Sequence, residues 1–150
     1  MKKLLEIKPL WIFIIFTVLD IICIGMGMGV PFFCIMFGLV VGWVAVKYIT
    51  ARTSQTSLVF RKTLVYAALT SCVTLVGMAI LWIPFAIQIF DPTIDLAETG
   101  IPMILYEPRA SFIGWVVLMV LISPALQLLT TLFGSHLALL GWLNRGTYPG

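Results

Sequence analysis

The chain has 150 residues, 61% hydrophobic and only 10% charged, with a mean hydropathy of +1.13. A water-soluble domain of this size cannot hide so much apolar surface, so lipid must be the solvent for most of it. The net charge of +3 comes from nine basic and six acidic residues with no long basic run, which excludes a nucleic-acid-binding surface.

Residues 10–49 are almost unbroken apolar sequence, with Asp20 the only acid. As one helix this segment would be about 60 Å long, about twice a hydrocarbon core of about 30 Å. It must therefore fold back. The break is Gly25-Met26-Gly27-Met28-Gly29-Val30-Pro31. Glycine opens backbone angles closed to other residues, and proline suits the first turn of a new helix. Helix 1 is predicted over 10–27 and helix 2 over 31–48, forming a tight hairpin. Lys2 and Lys3 before the apolar run resemble a signal peptide, but no small-x-small cleavage site follows. Ile22 is too large to precede a lipoprotein Cys23. Helix 1 is expected to be retained.

The first polar stretch covers 47–62, with Thr56 or Ser57 placed to cap the next helix. Helix 3 is predicted over 57–83, with Pro84 as a kink or exit. The longest loop, 91–111, carries Asp91, Asp95, Glu98 and Glu107 and is punctuated by Pro92, Pro102 and Pro108. Within it, the apolar stretch 101–106 is expected to lie on the membrane surface or against the helix ends. Helix 4 is predicted over 112–142, bent at Pro124. The expected fold is an all-α, integral-membrane four-helix bundle forming a single domain over 1–150.

Charge position gives an orientation. With four crossings, the amino end, the 47–62 loop and the tail share one side. That side holds Lys2, Lys3, Lys8, Lys47, Arg52, Arg61, Lys62 and Arg145, against Arg109 alone on the other. The positive-inside rule then predicts a plasma (inner) membrane protein with both termini cytoplasmic. Trp11, Trp43, Tyr48, Tyr66 and Trp142 fall near the predicted inner interface. Trp82, Tyr106 and Trp115 fall near the outer one, where amphipathic rings favour the lipid–water boundary.

Asp20 is the most informative residue. A carboxylate midway along a membrane helix costs about 2.5–3.5 kcal/mol on insertion scales, so it should face the other helices. Partners at similar depth are Ser71 and Thr74 on helix 3 and Gln127 and Thr130 on helix 4; Thr17 lies one turn away. Such an acid is either a proton or cation site, or a hydrogen-bonded link within the bundle or to a partner helix.

Cys23, Met26, Met28, Cys34 and Met36 flank the first turn. Sulfur ligands suit copper(I), though both residue types are also ordinary apolar filler. No cofactor or resident metal is expected. The three cysteines all lie in apolar runs and form no disulfide framework. Gly38 and Gly42 form a GxxxG element on helix 2. Gln127, Thr130, Thr131, Gly134, Ala138 and Gly141 make a small, polar stripe on helix 4. Both are expected to serve close helix packing. His136, the only histidine, is expected near the cytoplasmic interface. No Ser-His-Asp set, His-Glu-x-x-His or phosphate loop is present.

Three functions follow, in order of preference. The first is a non-catalytic small subunit or assembly partner, associating with other transmembrane helices or with itself. The second is a proton-coupled transporter. Four helices with one acid midway along the first resemble the layout of small multidrug exporters, and that resemblance implies proton exchange at Asp20. It covers layout alone; this chain is longer, with a larger outer loop and a stronger charge bias. The third is a copper or redox membrane protein using Cys23 and Cys34.

Overall fold

The computed structural model describes residues 8–26, 31–91, 93 and 104–147. The hairpin turn at 27–30 and most of the 91–111 loop therefore lie outside the described residues, Met28 and Gly29 among them. Helix α1 spans Pro9–Met26, α2 spans Phe32–Thr50 and α3 spans Thr56–Ile87. A 3-10 turn, Gln88–Phe90, closes α3. Helices α4, Pro108–Val117, and α5, Ser123–Thr147, are joined by a π-helical turn, Leu118–Ile122, into one rod. The four rods are each long and apolar enough to cross a membrane. The chain is an all-α, multi-pass membrane protein.

The surface fits lipid as solvent. Leu10, Ile21, Val40, Val76, Ile80, Leu121 and Phe133 all point outward with half or more of their area exposed. In hydrocarbon these side chains carry no hydrophobic penalty. Helix association must then come from packing and internal hydrogen bonds.

Packing is tightest between α2 and α5. A methyl group built on Gly38 would fall 2.8 Å from the Gln127 carbonyl and 2.9 Å from the Thr131 hydroxyl. One on Gly42 would strike the Thr131 carbonyl and lie 2.8 Å from the Ser135 nitrogen. From the other side, Gly134 presses on the backbone of Leu39. Four residues on α2 thus advance with four on α5, and the two helices run parallel with their backbones in contact. Ala138 and Leu139 extend the contact into a core cluster with Val41, Val46, Tyr48 and Ile49, which Ile12 and Phe16 of α1 join. Gly141, expected on the same stripe, is exposed with nothing near it. It falls on the lipid-facing side of α5, a direction that residue size alone does not encode.

The prolines differ from expectation. Pro84 lies inside α3, which continues to Ile87 before tightening into the 3-10 turn. Pro108 opens α4 at its first turn, so the fourth rod starts four residues before the predicted Phe112. A missing N–H is harmless there, because first-turn amides have no intrahelical partner. The Pro124 irregularity is the π turn just before it. The Ser123 amide reaches back five residues to the Leu118 carbonyl, and its hydroxyl donates to the same oxygen at 2.8 Å. Widening the turn re-satisfies carbonyls that a proline cannot serve, a recurring solution in membrane helices.

At the end of the bundle carrying the 51–55 connection, Lys47 lies 4.7 Å from the Trp43 ring centre. Arg52 lies 4.2 Å from that of Tyr48. At the opposite end, the Ser111 hydroxyl bonds both the amide and the carbonyl of Leu105, at 2.8 and 2.9 Å. Ile104, Leu105 and Tyr106 are exposed there.

Candidate functional site

The polar groups of four helices converge inside the bundle. Asp20 of α1 is 1% exposed, and Thr74 of α3 and Gln127 of α5 are 0% exposed. The Gln127 amide nitrogen donates to Asp20 Oδ1 at 2.8 Å. The Thr74 hydroxyl lies 2.5 Å from Asp20 Oδ2 and also contacts Gln127 Oε1. These contacts close a ring of three side chains. Cys34 of α2 is buried beside the set, its thiol interacting with the same carboxyl.

Counting protons defines the ring's chemistry. Three contacts need three hydrogens. Thr74 supplies one and the Gln127 amide supplies one to the ring. The third contact is filled when the carboxyl is in its acid form and donates to Thr74. Exchanging the amide oxygen and nitrogen of Gln127 leaves this count unchanged, so it does not depend on that assignment. With an ionised carboxylate, two oxygens would face each other without a proton between them.

Two of the residues expected beside Asp20 are placed elsewhere. Ser71 donates to the Pro124 carbonyl at 2.7 Å, tying α3 to the start of α5 beside the π turn. Thr130 donates to the Ile35 carbonyl at 2.6 Å and reinforces the α2–α5 seam. Thr131 and Ser135 satisfy carbonyls of their own helix, Gln127 and Thr131, both at 2.7 Å. The hydroxyls of Thr17 and Thr63 are buried and find no hydrogen-bond partner among the described residues.

Sulfur chemistry is placed beside this cluster. Cys34 packs with Ile24 and Met78, and Cys23 and Trp82 lean on the same group. Met26 and Met36 turn outward. Among the described residues, no three His, Cys, Asp or Glu side chains stand close enough to hold a metal ion. Cys72 is exposed on α3, and His136 is exposed on α5.

Sequence reading did not single out Cys34 as a neighbour of Asp20. The hairpin was the available signal: Asp20 lies six residues before the end of α1 and Cys34 is the third residue of α2, on opposite arms of the same turn.

Comparison with protein-family models, curated protein sequences and solved structures found no match. The protein's class therefore rests on its own residues: a four-span helical bundle with one enclosed carboxyl cluster.

Proposed function

We propose that this protein is a non-catalytic membrane subunit, with the Asp20–Thr74–Gln127 ring as an internal clasp that fixes α1, α3 and α5 in register. Enclosure of the carboxyl carries this reading. A transport site must meet water from one side or the other, whereas all three side chains of the Asp20 ring are buried. Two cavities of about 590 and 630 Å³ flank the bundle, and neither is lined by Asp20, Thr74 or Gln127. The bundle sits in the plasma (inner) membrane with both termini cytoplasmic, supported by eight basic residues on one side against one on the other. Its broad apolar faces are available to partner helices or to a second copy. Blue-native electrophoresis from mild detergent tests this. A complex larger than the monomer is expected, and a lone monomer that recovers no partner counts against the proposal.

Proton-coupled transport is the competing reading. One buried hydroxyl without a partner among the described residues supports it, Thr17 on α1 one turn from Asp20, within reach of an alternative ring geometry. Transport through Asp20 requires its proton to leave, so Asp20→Asn must abolish it. Uptake or resistance unchanged by that substitution removes this reading.

A further inference from the structure

The oxygens of the Asp20 ring face one another. Thr74 Oγ1 contacts both Asp20 Oδ2 and Gln127 Oε1, while the Gln127 amide nitrogen holds the other carboxyl oxygen at 2.8 Å. Without the acid proton, this inner face is a carboxylate, a hydroxyl and an amide carbonyl, one positive charge short of neutral. Thr74 has a further acceptor, the Thr70 carbonyl at 3.4 Å. Its hydrogen can turn there and leave its oxygen facing inward.

A fourth oxygen stands beside them. Thr17 Oγ1 is buried and has no hydrogen-bond partner among the described residues. Thr17 precedes Asp20 by three residues on α1, so the two side chains share a face of the helix. Helical side chains lean toward the amino end, which carries the Asp20 carboxyl over the turn that holds Thr17. The acid ring makes no use of this hydroxyl. An unpaired buried hydroxyl is destabilising, and a ligand that engages it removes the penalty.

We infer that the ring binds one sodium ion in exchange for the Asp20 proton, held by Asp20 Oδ2, Thr74 Oγ1, Gln127 Oε1 and Thr17 Oγ1. Hard cations take oxygen ligands. In hydrocarbon a charge must be balanced where it sits, and one carboxylate balances one monovalent ion. A divalent ion would leave a net charge; calcium also takes about 6–8 oxygens, and magnesium keeps several waters. All three ring side chains are buried and neither large cavity is lined by them, which favours a small ion over potassium. Two thiols lie near the carboxyl as further titratable groups, Cys34 from α2 and Cys23 from α1 itself. Among the described residues, α3 and α5 present Thr74 and Gln127 to it, neither of which titrates. The ion ties the same three helices as the acid ring does, so the inference stands on the ring's geometry and not on the subunit reading above.

Thermal unfolding of the full chain in mild detergent, followed by circular dichroism in sodium chloride or in potassium chloride of equal ionic strength, tests it. A ligand of the folded state alone raises the midpoint, so sodium at about ten times its dissociation constant should add about 3–6 °C over potassium. Asp20→Asn should fold and lose the sodium shift. Thr17→Val should be at least as stable as wild type in potassium, where the hydroxyl is idle. It should need at least about tenfold more sodium for the same shift, and Thr17→Ser should restore the wild-type response. Lowering the pH should raise the sodium required, because the proton occupies the same carboxyl. Equal wild-type midpoints in the two salts, a sodium shift kept by Asp20→Asn, or a sodium dependence unaltered by Thr17→Val or by pH would each overturn the inference. Oligomeric state is read separately, so failure of the subunit reading and failure of the sodium site are distinguishable.

Discussion

The Gln127 amide of α5 donates a 2.8 Å hydrogen bond to the Asp20 carboxyl of α1, across 107 residues of sequence. The bond joins the first rod to the last at a point where neither side chain meets solvent. In hydrocarbon no water competes for such a bond, yet the unfolded chain in a membrane also finds partners, so its net worth is modest.

Asparagine at position 20 can supply the same three-proton ring. Its oxygen accepts from Gln127, its NH₂ donates to Thr74, and Thr74 donates onward. Asp20→Asn should therefore fold with stability close to wild type. Asp20→Leu should lose about 1–3 kcal/mol, because it leaves buried polar groups on α3 and α5 without partners. Unfolding by sodium dodecyl sulfate in mixed micelles, followed by circular dichroism, measures both. Equal destabilisation by the two variants would mean the ring does not carry the proton count given above.

The α2–α5 seam should be the least forgiving surface. A side chain at Gly42 meets the Thr131 carbonyl, which is backbone and cannot swing aside. Gly42→Leu should cost at least about 1–3 kcal/mol by overpacking. Val40→Leu, on a residue 53% exposed, should change little. Thermal unfolding of the two purified variants in one detergent makes the comparison, and a Gly42→Leu midpoint equal to that of Val40→Leu would count against backbone contact at this seam.

Part of this arrangement was readable before any coordinates. An acid or amide in an apolar run stands out, and residue counting gives its depth, so Asp20, Thr74 and Gln127 could be set at one level. Depth does not fix azimuth. Ser71 and Thr130 lie at similar levels yet turn toward the Pro124 and Ile35 carbonyls. In a helix with apolar residues on every face, hydrophobic periodicity carries little information about direction, which also hid the outward turn of Gly141. Cys34 escaped notice as a neighbour of Asp20 because a thiol in a membrane helix reads as filler. The π turn was invisible for a different reason: Pro124 announces a lost hydrogen bond without saying how the chain re-satisfies it.

Membrane orientation has its own test. Ser54→Cys lies in the connection between α2 and α3, and Thr93→Cys lies beyond the far end of α3. A membrane-impermeant maleimide applied to intact cells should label Thr93→Cys and leave Ser54→Cys unlabelled until the cells are opened. The native cysteines lie within the spans, where the reagent does not reach. Labelling in the reverse order would invert the assigned topology.

Asp91 marks the exit of α3. Its carboxyl accepts from the Thr93 amide at 2.9 Å and from the Thr93 hydroxyl at 2.7 Å. These bonds favour the carboxylate and hold its pKa below the ordinary range. For a depressed carboxyl the stabilisation is present at neutral pH and is lost as pH falls through the lowered pKa. The turn at Asp91–Thr93 should thus stay closed at neutral and mildly acidic pH and open only in stronger acid. A carbon-13 titration of the Asp91 carboxyl reads this directly. A midpoint at or above that of an unstructured aspartate would contradict it, and Thr93→Ala should move the midpoint upward.

The π turn makes the last prediction. Its five residues, Leu118–Ile122, accommodate one residue more than α-helical pitch allows before Pro124. Removing Leu121, which is 58% exposed, together with Pro124→Ala should let the rod run as a regular α-helix while Gln127 still faces Asp20. Removing Leu129 instead, a residue 60% exposed in regular α-helix, gives the chain no slack to absorb. That deletion turns everything beyond it by about 100°, the angle of one residue at 3.6 per turn. Gly134 would then leave the Leu39 backbone and a bulkier residue would take its place. The first deletion should keep a cooperative unfolding transition, and the second should abolish it. Two deletions equally harmful would show that the widened turn is not where the rod stores its extra residue.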